Sequence, residues 1–202
     1  MRLARYAQFV VVFWFVTTAF LATSQAGPFE DGLAAYKTGD YKTALRLMHP
    51  LAEQGHTEAQ FRLGSMYRFG RGVSQDYTEA ARLHQMAAKQ GNAEAQLNLA
   101  VMHAKGQGVQ KDATEAERWL RKAAEQGYAP AQFFVGIMYT RRQYRDYSEA
   151  VRWYRMAAEQ GDADSQVNLG YMYYSGLGVP QDHAEAMRWN KKAAEQGSIL
   201  AR

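Results

Sequence analysis

Five glycines divide this chain into equal lengths. Gly55, Gly91, Gly127, Gly161 and Gly197 stand 36, 36, 34 and 36 residues apart, and each closes the string Ala-Ala-Glu-Gln-Gly or a near variant. Other residue types return at the same phase. Gln60, Gln96, Gln132 and Gln166 open one segment, followed by Leu63, Leu99, Val135 and Leu169, then Gly64, Ala100, Gly136 and Gly170, then Met66, Met102, Met138 and Met172. Later in each period come Ala80, Ala116, Ala150 and Ala186, then Leu83, Trp119, Trp153 and Trp189. A fixed period of this size means one supersecondary unit stacked on itself as a solenoid. A single unit cannot bury its apolar face alone, and stacking closes the core.

Each period reads as two helices. In the first segment the apolar residues fall at helical spacing, as in Leu97, Val101 and Met102 with Leu99 between them. The second opens with Asp76-Tyr-Thr-Glu79, Asp112-Ala-Thr-Glu115, Asp146-Tyr-Ser-Glu149 and Asp182-His-Ala-Glu185. There the Asp is expected to cap backbone N–H groups while the Glu reaches back, completing a capping box. The recurring Gly suits the left-handed residue that ends a helix. Gly70-Arg-Gly72, Gly106-Gln-Gly108 and Gly176-Leu-Gly178 read as the turns between helices, and one copy replaces this turn with Arg141-Arg-Gln-Tyr144, two residues shorter. The expected fold is all-α: a solenoid of about five stacked antiparallel helix pairs, with Ala and Gly at close helix approaches and the tryptophans buried at the opposite pole.

The N-terminus is a different kind of segment. Arg2 and Arg5 precede fourteen uncharged residues, Phe9 to Ala22, and Ser24 and Ala26 offer small side chains for an export peptidase. This is the layout of a signal peptide over residues 1–26, cleaved after Ala26, or after Ser24 if Ala22 and Ser24 are the pair used. Fourteen residues fall short of the roughly 20 that span a bilayer, so the expected mature chain does not span a membrane and is periplasmic or secreted. It contains no cysteine, which removes disulfides, thiolate metal sites and cysteine nucleophiles. Of the net charge of +4, Arg2 and Arg5 contribute two, leaving 22 basic and 20 acidic residues in the remainder. That balance does not point to nucleic acid, which calls for clustered Lys and Arg.

The pattern A-x-Q-x-x-L-G-x-M-Y-x-x-G-x-G-V, then D-x-x-x-A-x-x-W-x-x-x-A-A-E-Q-G, resembles the Sel-one-like repeat family, a relative of tetratricopeptide repeats. Residues 56–91, 92–127, 128–161 and 162–197 carry it. Residues 27–55 resemble a shorter, tetratricopeptide-like pair, with Gly32-Leu-Ala-Ala-Tyr36 and Gly39-Asp-Tyr-Lys-Thr-Ala44; residues 198–202 form a C-terminal stub. Departures are the missing Gly-x-Gly of the 128–161 copy, Leu47 and Leu83 at the Trp position, and Pro50, expected to kink its helix. Residues 182–197 are expected to be a solvated cap, with Ile199 and Leu200 folded back on the end.

No catalytic, cofactor or metal site emerges. The Asp and Glu pairs recur at helix starts and read as caps. The Gly-x-Gly turns lack the strand and the Lys of a phosphate loop. The five histidines contain no H-x-x-x-H pair, and Ser65, Ser165 and Ser175 have no nucleophile-elbow glycines. What varies on the repeating scaffold is more informative. Ser65, Val101, Ile137 and Tyr171 share one phase, Arg68, Ala104, Thr140 and Tyr174 another, and Phe69, Lys105, Arg141 and Ser175 a third. By the resemblance, first helices line a concave face. This makes Ser65, Arg68, Phe69, Lys105, Arg141, Arg142, Tyr171 and Tyr174 the candidate partner groove, with a positive rim. The competing reading places the cations at helix C-termini, where they interact favourably with the helix dipole. The resemblance implies a non-catalytic scaffold holding a protein or peptide partner in the bacterial envelope. A glycan-binding or peptidoglycan-binding module is the alternative. β-Lactam chemistry, linked to cysteine-rich relatives, lacks both the cysteines and an S-x-x-K motif here.

Overall fold

The computed structural model describes residues 27–141 and 143–197, and these form ten α-helices in five antiparallel pairs. The pairs are α1 (Pro28–Thr38) with α2 (Tyr41–Glu53), α3 (Thr57–Phe69) with α4 (Tyr77–Lys89), α5 (Ala93–Lys105) with α6 (Ala113–Glu125), α7 (Ala129–Thr140) with α8 (Tyr147–Glu159), and α9 (Ala163–Ser175) with α10 (His183–Glu195). Each helix packs chiefly on the one before it and the one after it, which is how a solenoid extends. The expected export segment 1–26 and the stub 198–202, with Ile199 and Leu200, lie outside the described residues.

Four second helices open as expected on Asp76, Asp112, Asp146 and Asp182, whose carboxylates accept from backbone N–H groups of the first turn. The other half of the capping box is not made. The N–H groups of Asp76, Asp112, Asp146 and Asp182 donate instead to carbonyls of the preceding helix, at Tyr67, His103, Tyr139 and Tyr173. Released from that task, Glu79, Glu115, Glu149 and Glu185 each pair with the arginine three residues on, at 2.6, 2.6, 3.6 and 3.2 Å. The motif therefore ties the first helix of each pair to the start of the second. Pro50 removes one hydrogen bond, yet α2 runs on through it to Glu53.

The small-residue column has a steric cause. A Cβ on Gly64 would lie 3.1 Å from the His84 ring, and one on Gly136 would lie 2.6 Å from the Tyr154 ring. One column of the second helices, His84, Tyr154 and Asn190, thus crowds the first helix at Gly64, Gly136 and Gly170. Where that column holds Leu120, the first helix carries Ala100. One residue earlier, Trp119, Trp153 and Trp189 are buried in the clusters that join neighbouring pairs.

A polar ladder runs through this apolar stack. Gln60, Gln96, Gln132 and Gln166 are buried. Their side-chain amides donate to the carbonyls of Ala52, Ala88, Ala124 and Ala158 at 2.9–3.2 Å, joining each first helix to the end of the previous second helix. Their Oε1 atoms accept from Gln90, Gln126, Gln160 and Gln196 of their own pair at 2.6–2.9 Å. Two recurring glutamines per unit therefore satisfy each other and a helix-end carbonyl, leaving no buried amide unpaired at these positions.

At the last helix the pattern turns outward. Met187, in register with the buried Val151, is 73% exposed, and Asn190 replaces the buried Tyr154.

Candidate functional site

The turn between the two helices of a pair normally closes against the preceding pair. Gly72, Gly108 and Gly178 have positive φ and sit so tightly on the backbone of Tyr41, Tyr77 and Tyr147 that a Cβ would overlap it. Tyr77 and Val109 pack against one buried cluster, which includes Ala80, Ala81 and Met102, and Tyr147 and Val179 pack against another, which includes Ala150, Val151 and Met172. Aromatic ring, glycine and valine together seal the junction.

Between the pair α5–α6 and the pair α7–α8 every part of this seal is changed. The tyrosine column carries Ala113, and the shortened turn has neither the glycines nor the valine. An apolar column that holds buried Ala81 and Val151 elsewhere carries Glu117 here. The result is a cavity of about 470 Å³. Its floor is α6, through Ala113, Ala116 and Leu120; its walls are α5, through Leu97 and Val101, and α7, through Phe134 and Ile137.

Lys105 and Arg141 also line it, from the ends of α5 and α7. The Glu117 carboxylate is already engaged. It pairs with Arg121 at 2.8 Å and accepts from the Tyr144 hydroxyl at 2.8 Å. Partial burial opposes its ionisation, but the hydrogen bonds from Tyr144 and Arg121 outweigh that and hold the carboxyl below the ordinary glutamate range. Arg121 reaches on to the Tyr139 hydroxyl of α7 at 3.1 Å, so the wall of the cavity is braced across the junction.

The residues singled out from the sequence divide into three groups. Lys105 and Arg141 come together at the cavity. Tyr171 and Tyr174 stand 58% and 60% exposed on α9, one pair further along, and Phe69 is exposed at the end of α3. Ser65 and Arg68 do not line an open groove. Ser65 is buried. Arg68 is half-buried and donates from Nη1 to Asn98 of α5 at 2.6 Å; burial lowers its pKa. It joins two pairs instead of offering a free charge. Arg71, in the turn after α3, donates to the Tyr36 hydroxyl at 2.7 Å. Arg142 lies outside the described residues. Ala113, Glu117 and Tyr144 were not among the sequence candidates. The interrupted tyrosine column at Ala113 was the signal that could have found them.

His84 is a separate oddity. It is wholly buried beneath Gly64, and neither ring nitrogen has a hydrogen-bond partner. Burial, with the nearby Arg68 charge, pulls its pKa down to about 3.

The Sel1 repeat family model matches residues 26–56, 57–92, 93–128, 129–162 and 163–198. The chain belongs to the Sel1-repeat family. The match takes in the first pair, which the sequence had suggested was a tetratricopeptide-like variant. A Sel1 repeat protein from Oxalobacter formigenes superposes with a TM-score of 0.81 at 37% identity, over 86% of this chain and 52% of that one. A protective antigen of uropathogenic Escherichia coli with the same repeat fold superposes at 0.79 with 40% identity, over 86% of this chain and 38% of that one. An exopolysaccharide production negative regulator of Rhizobium meliloti is 38% identical over 56 residues, which is 26% of this chain and 21% of the regulator. The Sel1 chain described here thus spans about half or less of the length of these relatives. Sel1 repeats are generally scaffolds for protein–protein interaction. No helix among the described residues is long and apolar enough to cross a membrane.

Proposed function

We propose that this Sel1 protein is an exported, non-catalytic scaffold that holds a protein partner of the bacterial envelope on the face formed by its first helices. The observation that carries the reading is the contrast along those helices. Their repeating Leu, Val and Met positions are buried, while Phe134, Tyr171 and Tyr174 are large side chains left 42%, 58% and 60% exposed at positions that vary from unit to unit. Exposed aromatic residues on a rigid scaffold are among the residue types that anchor partners. Export is supported by Arg2, Arg5, the uncharged run Phe9 to Ala22, and the small residues Ser24 and Ala26.

The test is capture from an envelope extract by the immobilised mature chain. A protein partner predicts a captured species that disappears when the extract is first treated with protease, and that weakens with Tyr171→Ala plus Tyr174→Ala. Capture that survives protease treatment and responds to free glycan would replace this reading with a glycan-binding one. N-terminal sequencing of exported material checks the leader; a first residue of Gly27 is expected.

A further inference from the structure

We infer that the cavity between α5 and α7 is a specificity pocket for an extended acidic peptide segment: one apolar side chain enters the cavity, and a neighbouring carboxylate lies between Lys105 and Arg141. This rests on the scaffold reading above and names the chemistry of the partner at one place on it.

Three observations carry it. The first is that the opening is built by several coincident departures from the repeat. Ala113 withdraws the ring that Tyr41, Tyr77 and Tyr147 supply elsewhere, and the turn that should cover that ring has lost its glycines and valine. Together they leave about 470 Å³, inside the range of about 300–1,000 Å³ typical of ligand pockets.

The second observation is charge. The one carboxylate in the lining, Glu117, is satisfied by Arg121 and Tyr144. Among the described residues, neither Lys105 nor Arg141 has a carboxylate within ion-pair distance. The mouth therefore presents two exposed cations beside an apolar interior, which complements an acidic group next to an apolar one. Arg141 also offers a fork that can take a carboxylate on two nitrogens.

The third observation separates a peptide from a small free ligand. Phe134 forms part of the wall yet stays 42% exposed, so apolar surface continues out of the cavity along α7. A small molecule held in the cavity leaves that surface in water, whereas a chain passing over it covers it.

The probe is a fluorescein-labelled decapeptide with one Phe followed by two Glu in a Gly-Ser background, measured by anisotropy against the mature protein. Wild type is expected to bind, and to bind at least about tenfold better than it binds the same peptide with Lys in place of both Glu, because each charge pair changes sign. Ala113→Tyr refills the cavity with the side chain its column uses elsewhere, and should weaken binding roughly tenfold or more by shutting out the buried side chain. Lys105→Glu with Arg141→Glu should do the same and reverse the sign of the salt dependence, since added salt then screens a repulsion. Circular dichroism guards against misfolding, and the charge-swap pair lies on the surface, so at least one variant remains readable.

No binding of the Phe-Glu-Glu peptide by wild type up to millimolar concentration overturns the inference. So does binding unaltered in both variants, or displacement by free phenylpropionate with no contribution from the flanking peptide. The pocket can fail while the scaffold reading stands. If Ala113→Tyr leaves envelope capture intact while the Tyr171 and Tyr174 substitutions abolish it, the partner sits on the scaffold and this pocket is not where it is read.

Discussion

Two junctions in this stack are built from equivalent helices and close differently. Where α5 follows α4, Gly108 rests on the Tyr77 backbone, and Val109 and Tyr77 pack against the same buried Ala80, Ala81 and Met102. Where α7 follows α6, Ala113 stands in for the tyrosine, and Tyr144 reaches across to Glu117 in place of a packed turn. The helices on either side do not register the change. Gln96 and Gln132 make the same two amide contacts, and Trp119 and Trp153 are buried alike. The lesson is that the repeat holds itself together at two places, the glutamine ladder and the buried tryptophan column, the shared pole of each junction. The turn contact is a third, dispensable seal. A chain can open that seal and gain a cavity without losing the stack.

The largest expected effect tests the shared pole. Trp119→Ala and Trp153→Ala should each cost about 3–5 kcal/mol, since each removes a buried ring that neighbouring units share. Thermal melts of the two variants should fall by similar amounts; a markedly smaller loss for Trp153 would mean that the irregular junction has given up its pole as well as its turn. Next comes the seal itself. Gly108→Ala sets a Cβ into the Tyr77 carbonyl at a φ of 70° and should cost about 2–4 kcal/mol. If denaturant unfolding of this variant matched wild type, the regular junction would be as loosely closed as the irregular one.

A third prediction compares the residues beneath the small-residue column, His84 under Gly64 and Leu120 near Ala100. His84 has its folded pKa lowered from 6.5 to about 3. The unfolded chain therefore binds a proton below pH 6.5 that the folded chain refuses. Stability is intact above that pH and is lost as pH falls toward 3, by about 1.4 kcal/mol per unit. At pH 5 this one group should account for roughly 2 kcal/mol. His84→Leu should flatten that part of the pH–stability curve; an equally steep curve in the variant would assign the loss to other groups. The smallest effect is at the irregular junction. Tyr144→Phe removes one partly exposed hydrogen bond to Glu117 and should cost about 1 kcal/mol or less. It should also let the Glu117 carboxyl titrate at a higher pH, readable by NMR.

Much of the architecture was legible before any coordinates. Period and phase alone determine helix pairs, their number, the aspartate caps and the positions of the turns, because each follows from local backbone chemistry repeated four or five times. A residue that recurs at fixed phase must meet the same surroundings in every copy, so Met66, Met102, Met138 and Met172 could be read as core from the sequence, and they are buried. Partner choice within the structure was not legible. Glu79 and its counterparts turned to arginines because the aspartate N–H groups were taken by the preceding helix. Arg68 had the type and phase of a groove residue, but only packing brought Asn98 within 2.6 Å of it.

The cavity is the clearest case. Ala113, Glu117, Phe134 and Tyr144 belong to two helices and a turn. In sequence each is an ordinary residue one step away from a repeat. Packing decides that these departures fall on one side of one junction. A void is a property of what several surfaces fail to fill together, and no single position in a sequence records it.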